Sequence, residues 1–148
     1  MVICDPSHIR RVFVRLIDNA IRYSSAATTV SIRLSCRRAV DLALDHPGFA
    51  ISRGADSGQP MDEDARLALV AIADQGRGIS DEQQQVLFNR HAYASGRRDR
   101  GLGLGLYLSR EVVIHNGGCI WVESRVEEGS TFYFTLPCAD PPDSAFYS

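Results

Sequence analysis

Apolar residues at Ile9, Val12, Phe13, Leu16, Ile17 and Ala20 recur at helical spacing behind Asp5 and Pro6. An acidic cap followed by proline in the first turn opens such a helix, and the stripe predicts one amphipathic helix ending near Tyr23. Val30, Ile32 and Leu34 then alternate with Ser31, Arg33 and Ser35, which predicts a half-buried strand. The run from Leu67 to Ala73 predicts a second strand, more continuously apolar. Between the two, residues 45–64 carry Pro47, Gly48, Gly54, Gly58 and Pro60 among Asp and Ser, the composition of a solvated loop. A loop of that length in a compact domain is uncommon and points to function or to an insertion.

Ser80-Asp81-Glu82-Gln83 reads as a cap and acidic first turn, opening a helix that should reach about Phe88. Residues 89–100 have no periodicity and combine Ser95, Gly96 and several arginines, a mobile polar segment. Leu104, Leu106, Tyr107, Leu108, Val112, Val113 and Ile114 return to helical spacing until Gly117-Gly118 stops them. Two more strands, 119–124 and 131–136, flank a hairpin turn at Glu127-Glu128-Gly129. Such interleaving predicts an α/β chain of the two-layer α+β kind, a mixed but mainly antiparallel sheet with helices packed on one face. The domain should span 1–137, and 138–148, with Pro141-Pro142, should be a frayed tail.

Composition narrows the functional classes. A chain of 148 residues, 45% of them hydrophobic, builds one ordinary core. Sixteen basic against eighteen acidic side chains leave a formal charge of −2, so no overall field favours nucleic acid or an anionic membrane. No apolar run approaches the roughly 20 residues that span a bilayer, and the first residues lack the pattern of a signal peptide; the domain reads as cytoplasmic, with no direct membrane contact. Cys4, Cys36, Cys119 and Cys138 are too scattered for zinc and read as reduced, mostly buried thiols. His8, His46, His91 and His115 read as polar surface.

Four short motifs carry the candidate chemistry. In Asn19-Ala20-Ile21-Arg22-Tyr23, Asn19 ends the apolar stripe of a helix where an apolar residue is expected. Its side-chain carbonyl suits Mg²⁺ bridging a triphosphate, and a capping or core-satisfied Asn is the ordinary alternative. In Asp74-Gln75-Gly76-Arg77-Gly78-Ile79, a carboxylate at a strand end precedes two glycines that let backbone approach a planar ligand. Gly101, Gly103 and Gly105, alternating with Leu102, Leu104 and Leu106, open a helix whose amides suit phosphate oxygens. No Lys-Ser or Lys-Thr follows, unlike a P-loop, and no clear strand precedes, unlike a dinucleotide turn. The preceding Arg97, Arg98 and Arg100 can close on a triphosphate, or be a solvated charge run. In Gly129-Ser130-Thr131-Phe132 the hydroxyls reach towards the Asp74 end of the sheet, although strand propensity alone explains Thr131.

In residue type, order and approximate spacing these motifs resemble the N box and glycine boxes of the sensor histidine kinase catalytic domain. The wider superfamily includes the gyrase, MutL and heat-shock chaperone ATPases, and the resemblance covers nearly the whole chain. It implies a Bergerat-type ATP-binding fold. It makes Asn19 the metal ligand, Arg22 the basic residue beside the phosphates and Tyr23 a residue stacked beside the nucleotide. Asp74 would accept from the adenine amino group, with Gly76, Gly78 and Ile79 around it and Ser130 the better hydroxyl match. Residues 101–106 would hold phosphates under an ATP lid at about 89–100, anchored by Phe88. Because the family joins its strands tightly at 45–64, that stretch reads as a loop insertion. One departure stands out: where the family often has a second Asn, and hydrolytic relatives a water-activating Glu, this chain has Arg15, which cannot be a base. The resemblance thus implies a histidine kinase catalytic domain that binds Mg²⁺ and ATP and phosphorylates a histidine on a dimerisation domain absent here, upstream of a response regulator. A non-catalytic nucleotide-binding module, or a serine kinase of the anti-sigma type, is the alternative.

Overall fold

The computed structural model describes residues 2, 4–56, 62–89 and 103–139. Helix α1, Pro6–Tyr23, begins where the sequence places its cap: Asp5 Oδ1 accepts from the Ser7 amide at 3.0 Å and from its hydroxyl at 2.8 Å. Those bonds hold the Asp5 carboxyl below the usual aspartate range. The helix buries Ile9, Val12, Leu16 and Ala20 along one stripe, and Ser24 closes it through Ala20 O. Strand β1, Ser31–Arg38, is followed by helices α2, Ala39–Asp45, and α3, Pro47–Asp56, and then by strand β2, Arg66–Asp74. Helix α4, Asp81–Val86, is capped by Ser80 as expected but stops short of Phe88. Helix α5, Gly103–His115, ends at Gly117, whose φ of 81° only glycine adopts without strain. Strands β3, Ile120–Arg125, and β4, Gly129–Pro137, form the expected hairpin, with Glu127 and Gly129 at positive φ in its turn.

The sheet has order β1-β2-β4-β3, and every pairing is antiparallel. On one face, Val70 and Ile72 of β2 with Phe132, Phe134 and Leu136 of β4 pack against α1 and the Leu106 and Val113 positions of α5. This is the expected two-layer core. β1 lies at the edge beyond it, so Ile32 and Leu34, predicted half-buried, are 46% and 71% exposed.

The stretch expected as a loop insertion is different in kind. Up to Asp56 it is mostly helical, and α2 and α3 cover the opposite face of the sheet. Phe49 is fully buried against Trp121, ring centroids 5.6 Å apart, and Trp121 stacks on Tyr133 at 5.2 Å. Ser52 Oγ donates to Ile120 O at 3.1 Å. Two of the residues that suggested a loop have local reasons: Pro47 opens the helix, and a Cβ on Gly48 would stand 2.6 Å from the Trp121 ring; Gly58 and Pro60 lie outside the described residues. His46 is likewise not plain surface, since its ring lies 4.8 Å from that of Tyr133 and its Nδ1 is 2.7 Å from Glu123 Oε1.

Two smaller expectations also change. Cys138 belongs to the sheet, donating its amide to Arg66 O at 3.0 Å and bridging Val2. Of the cysteines only Cys119 is buried; Cys36 is exposed, with its sulfur 4.0 Å from that of Cys138. Partial burial, aided by Cys36, pushes the Cys138 thiol up.

Candidate functional site

The site residues come from three distant segments drawn together by close backbone approach. The end of α1 meets the loop after β2 at Gly76, where a Cβ would lie 2.2 Å from Tyr23 O. The start of β4 meets the end of β2 at Gly129, where a Cβ would lie 2.2 Å from Asp74 O. Gly78, at φ 73°, leaves room for Arg125 O at 2.0 Å from its missing Cβ. Any side chain at these three positions would push the segments apart.

Within this junction Asp74 has a fixed orientation. Its Oδ1 accepts from Gly76 N at 2.9 Å and from Ser130 N at 3.3 Å. The second oxygen takes no partner among the described residues, so the carboxylate presents one free acceptor edge with its direction set. Ser130 is 6% exposed and its hydroxyl pairs with Ser124 Oγ at 2.7 Å. Ser124 also donates to Gly129 O and accepts from Ile79 N, both at 2.8 Å. Ser130 therefore acts through its amide on Asp74, and its hydroxyl is spent on the hairpin. Thr131 sits opposite Ala73 and Glu123, on the other face from the Asp74–Ser130 pair, so its hydroxyl does not reach this site. Ile79 is partly buried against the main core.

On α1, Asn19 is a buried polar residue, 8% exposed, at the end of the apolar stripe. Arg22 is exposed one turn of chain further on, and Tyr23 carries the Arg77 guanidinium 5.1 Å from its ring centre. Gly105 and Leu106 are buried in the first turns of α5. Leu106, 0% exposed, anchors that helix in the core and meets a ligand only through backbone. Gly103 and Leu104 are described as helical backbone alone, whereas Arg97, Arg98, Arg100, Gly101 and Leu102, with nearly all of the expected lid, lie outside the described residues. Phe88 meets Phe132 edge-on at 6.3 Å, which fits an anchor rather than a ligand contact.

Sequence reasoning passed over two contributors. Arg77 was visible only as spacing between glycines, and its place over Tyr23 depends on how the Gly76 turn meets α1. Ser124 becomes meaningful only once the hairpin register sets it opposite Ser130. No three His, Cys, Asp or Glu side chains among the described residues cluster to hold a metal ion. A cation here would rest on the Asn19 carbonyl and on oxygens that the ligand brings.

Comparison with known proteins identifies the family and the fold. The family model described as histidine kinase-, DNA gyrase B- and HSP90-like ATPase matches residues 4–140. The adaptive-response sensory kinase SasA of Gloeothece citriformis is 32% identical over 139 residues, 92% of this chain and 28% of that protein. The SasA of a Synechocystis strain is 32% identical over 137 residues, 92% of this chain and 29% of its own length. The chain thus spans less than a third of these relatives. Among solved structures, the mycobacterial sensor histidine kinase MprB aligns with a TM-score of 0.62 and 26% identity, over 92% of this chain and 74% of that one. Full-length ShkA in complex with AMPPNP shares the fold, with a TM-score of 0.63 at 18% identity over 95% of this chain and 24% of its own.

Proposed function

The chain belongs to the histidine kinase-, DNA gyrase B- and HSP90-like ATPase family, as an ATP-binding catalytic domain of the sensor histidine kinase type, and on that premise we propose how its residues work. The domain binds Mg²⁺-ATP and delivers the terminal phosphoryl group to a histidine of a dimerisation domain outside this chain; a response regulator then receives it. The observation that carries this reading is Asp74, held by two amides with one oxygen free. That oxygen accepts the adenine amino group. Guanine, with a carbonyl there, would leave it unpaired.

From the base, the nucleotide runs along α1 past Tyr23 and Asn19 towards the first turn of α5. Asn19 would hold Mg²⁺ through its side-chain carbonyl, and the ion would supply charge neutralisation for the phosphates. Arg22 and the amides at the start of α5 add fixed positive ends. The acceptor imidazole attacks the γ-phosphorus as the bond to the β-γ bridging oxygen breaks, and ADP leaves. No covalent intermediate forms on this domain, and its work is positioning and charge neutralisation. Arg15 occupies the turn before Asn19, where hydrolytic relatives carry a water-activating Glu, and a guanidinium cannot act as a base, so transfer is favoured over hydrolysis. As a consumer of ATP the domain faces the cytoplasm; no helix among the described residues is long and apolar enough to cross a membrane.

The test is calorimetric titration with a nonhydrolysable ATP analogue and Mg²⁺, followed by transfer of labelled phosphate to a supplied dimerisation domain. Saturable Mg²⁺-dependent binding and labelling of that domain are expected. Absence of binding would overturn the reading. Binding without transfer would leave a regulatory nucleotide module.

A further inference from the structure

Resting on the reading of a nucleotide laid along α1, we propose that Arg15 binds the outermost phosphate and makes the site discriminate a nucleoside triphosphate from a diphosphate. Arg15 lies one helical turn before Asn19, on the same face of α1. Its Nη1 is 2.7 Å from the point where a Cβ of Gly105 would stand, with Cδ at 3.6 Å and Cζ at 3.7 Å. The side chain therefore lies along the first turns of α5, in the space that the glycine leaves open.

The electrostatics of that contact are the clue. The first turn of a helix carries unsatisfied amides and the positive end of its dipole. A guanidinium placed against it adds like charge to like. Arg38, by contrast, meets carboxylates, Asp41 at 3.1 Å and Asp64 at 3.7 Å. Arg15 has no ion pair or hydrogen bond among the described residues. Two positive features in contact, with no carboxylate paired to Arg15 among the described residues, suit an anion, and a planar guanidinium near a helix start matches a tetrahedral oxyanion such as a phosphate group.

The position along α1 says which phosphate. Tyr23, at the Gly76 junction beside Asp74, marks the base end; Asn19 follows one turn back and Arg15 a turn beyond that. Two turns and a little more of helix separate Tyr23 from Arg15, about 12 Å of rise. A nucleotide anchored at Asp74, with its metal on Asn19, brings only its distal phosphate to Arg15. ADP ends short of it.

Calorimetry on wild type, Arg15→Gln and Arg15→Lys, with Mg²⁺ and either the nonhydrolysable ATP analogue or ADP, tests this. Arg15→Gln should lose roughly ten- to a hundredfold in affinity for the triphosphate, the range of a lost charge-assisted hydrogen bond. Its ADP affinity should stay within about twofold, and Arg15→Lys should recover part of the loss. The melting temperature of nucleotide-free Arg15→Gln should not fall, because the change removes a like-charge contact. An equal loss for both nucleotides, no loss for either, or a destabilised free protein would overturn the assignment while wild-type binding left the nucleotide site standing. A wild type that binds neither nucleotide would overturn the site itself and this assignment with it.

Discussion

Asp74 and Asn19 are polar residues at the ends of apolar runs, and both carry their signal in the immediate sequence. Asp74→Asn keeps an oxygen able to accept from Gly76 and Ser130 but turns the free edge from acceptor to donor. The fold should persist while adenine nucleotide affinity falls by about 1.5–3 kcal/mol; an unchanged affinity by calorimetry would remove Asp74 from the base site. Asn19→Ala deletes a ligand without opening a large cavity, so Mg²⁺-dependent ATP binding should collapse and the melting curve of the free protein should hold. If Mg²⁺ promotes binding equally in the variant, the metal role is wrong. Arg77 and Ser124 were harder to read because their partners, Tyr23 and Ser130, are set by turn geometry and strand register rather than by neighbours in the chain. Leu106 carries two signals at once: it stands inside the glycine-rich motif, and helical periodicity sends its side chain into the core.

At the scale of elements, the capped helices, the apolar strand β2 and the β3–β4 hairpin were legible because local signals and burial agree in each. The α2–α3 pair was not. Its Pro and Gly content matches a loop, and its helicity is stabilised from outside, by burying Leu42 and Phe49 on the face of the sheet that carries Leu67, Leu69 and Trp121. Tertiary packing overrode composition there. Phe49→Ala should cost about 3–5 kcal/mol of stability, a large share of what a domain this size has. The chain has a single tryptophan, so Trp121 emission in a denaturant titration reads the loss directly. The folded variant should still bind nucleotide, since this face lies across the sheet from the α1 site. Full stability after the substitution would mean that α3 does not hold the second face.

Taken whole, the proposed site draws on α1, the end of β2, the start of β4 and α5, and none of these segments forms it alone. A ligand touching all of them binds only the folded state. Mg²⁺ with an ATP analogue at a hundred times its dissociation constant should add about 2.7 kcal/mol, a shift of several degrees in melting temperature. Chelating the metal should remove most of that shift. A shift that survives chelation would show that the cation is dispensable.

The strand order has a kinetic corollary. β4 is the last strand of the sheet to be synthesised, yet it lies between β2 and β3. Its hairpin with β3 closes across a tight turn, whereas joining β2 brings Ser130 to Asp74 from 56 residues away. Loop closure over that distance is slow and entropically costly. Pulse-labelled exchange during refolding should find the β3–β4 amides protected before those between β2 and β4; simultaneous protection would contradict this order. On that sequence of events the Ser130 amide reaches Asp74 only as the two halves of the sheet zip together. Until the ribosome has released β4, the emerging chain can hold helices and the β1–β2 pair, but not the oriented carboxylate that would read adenine.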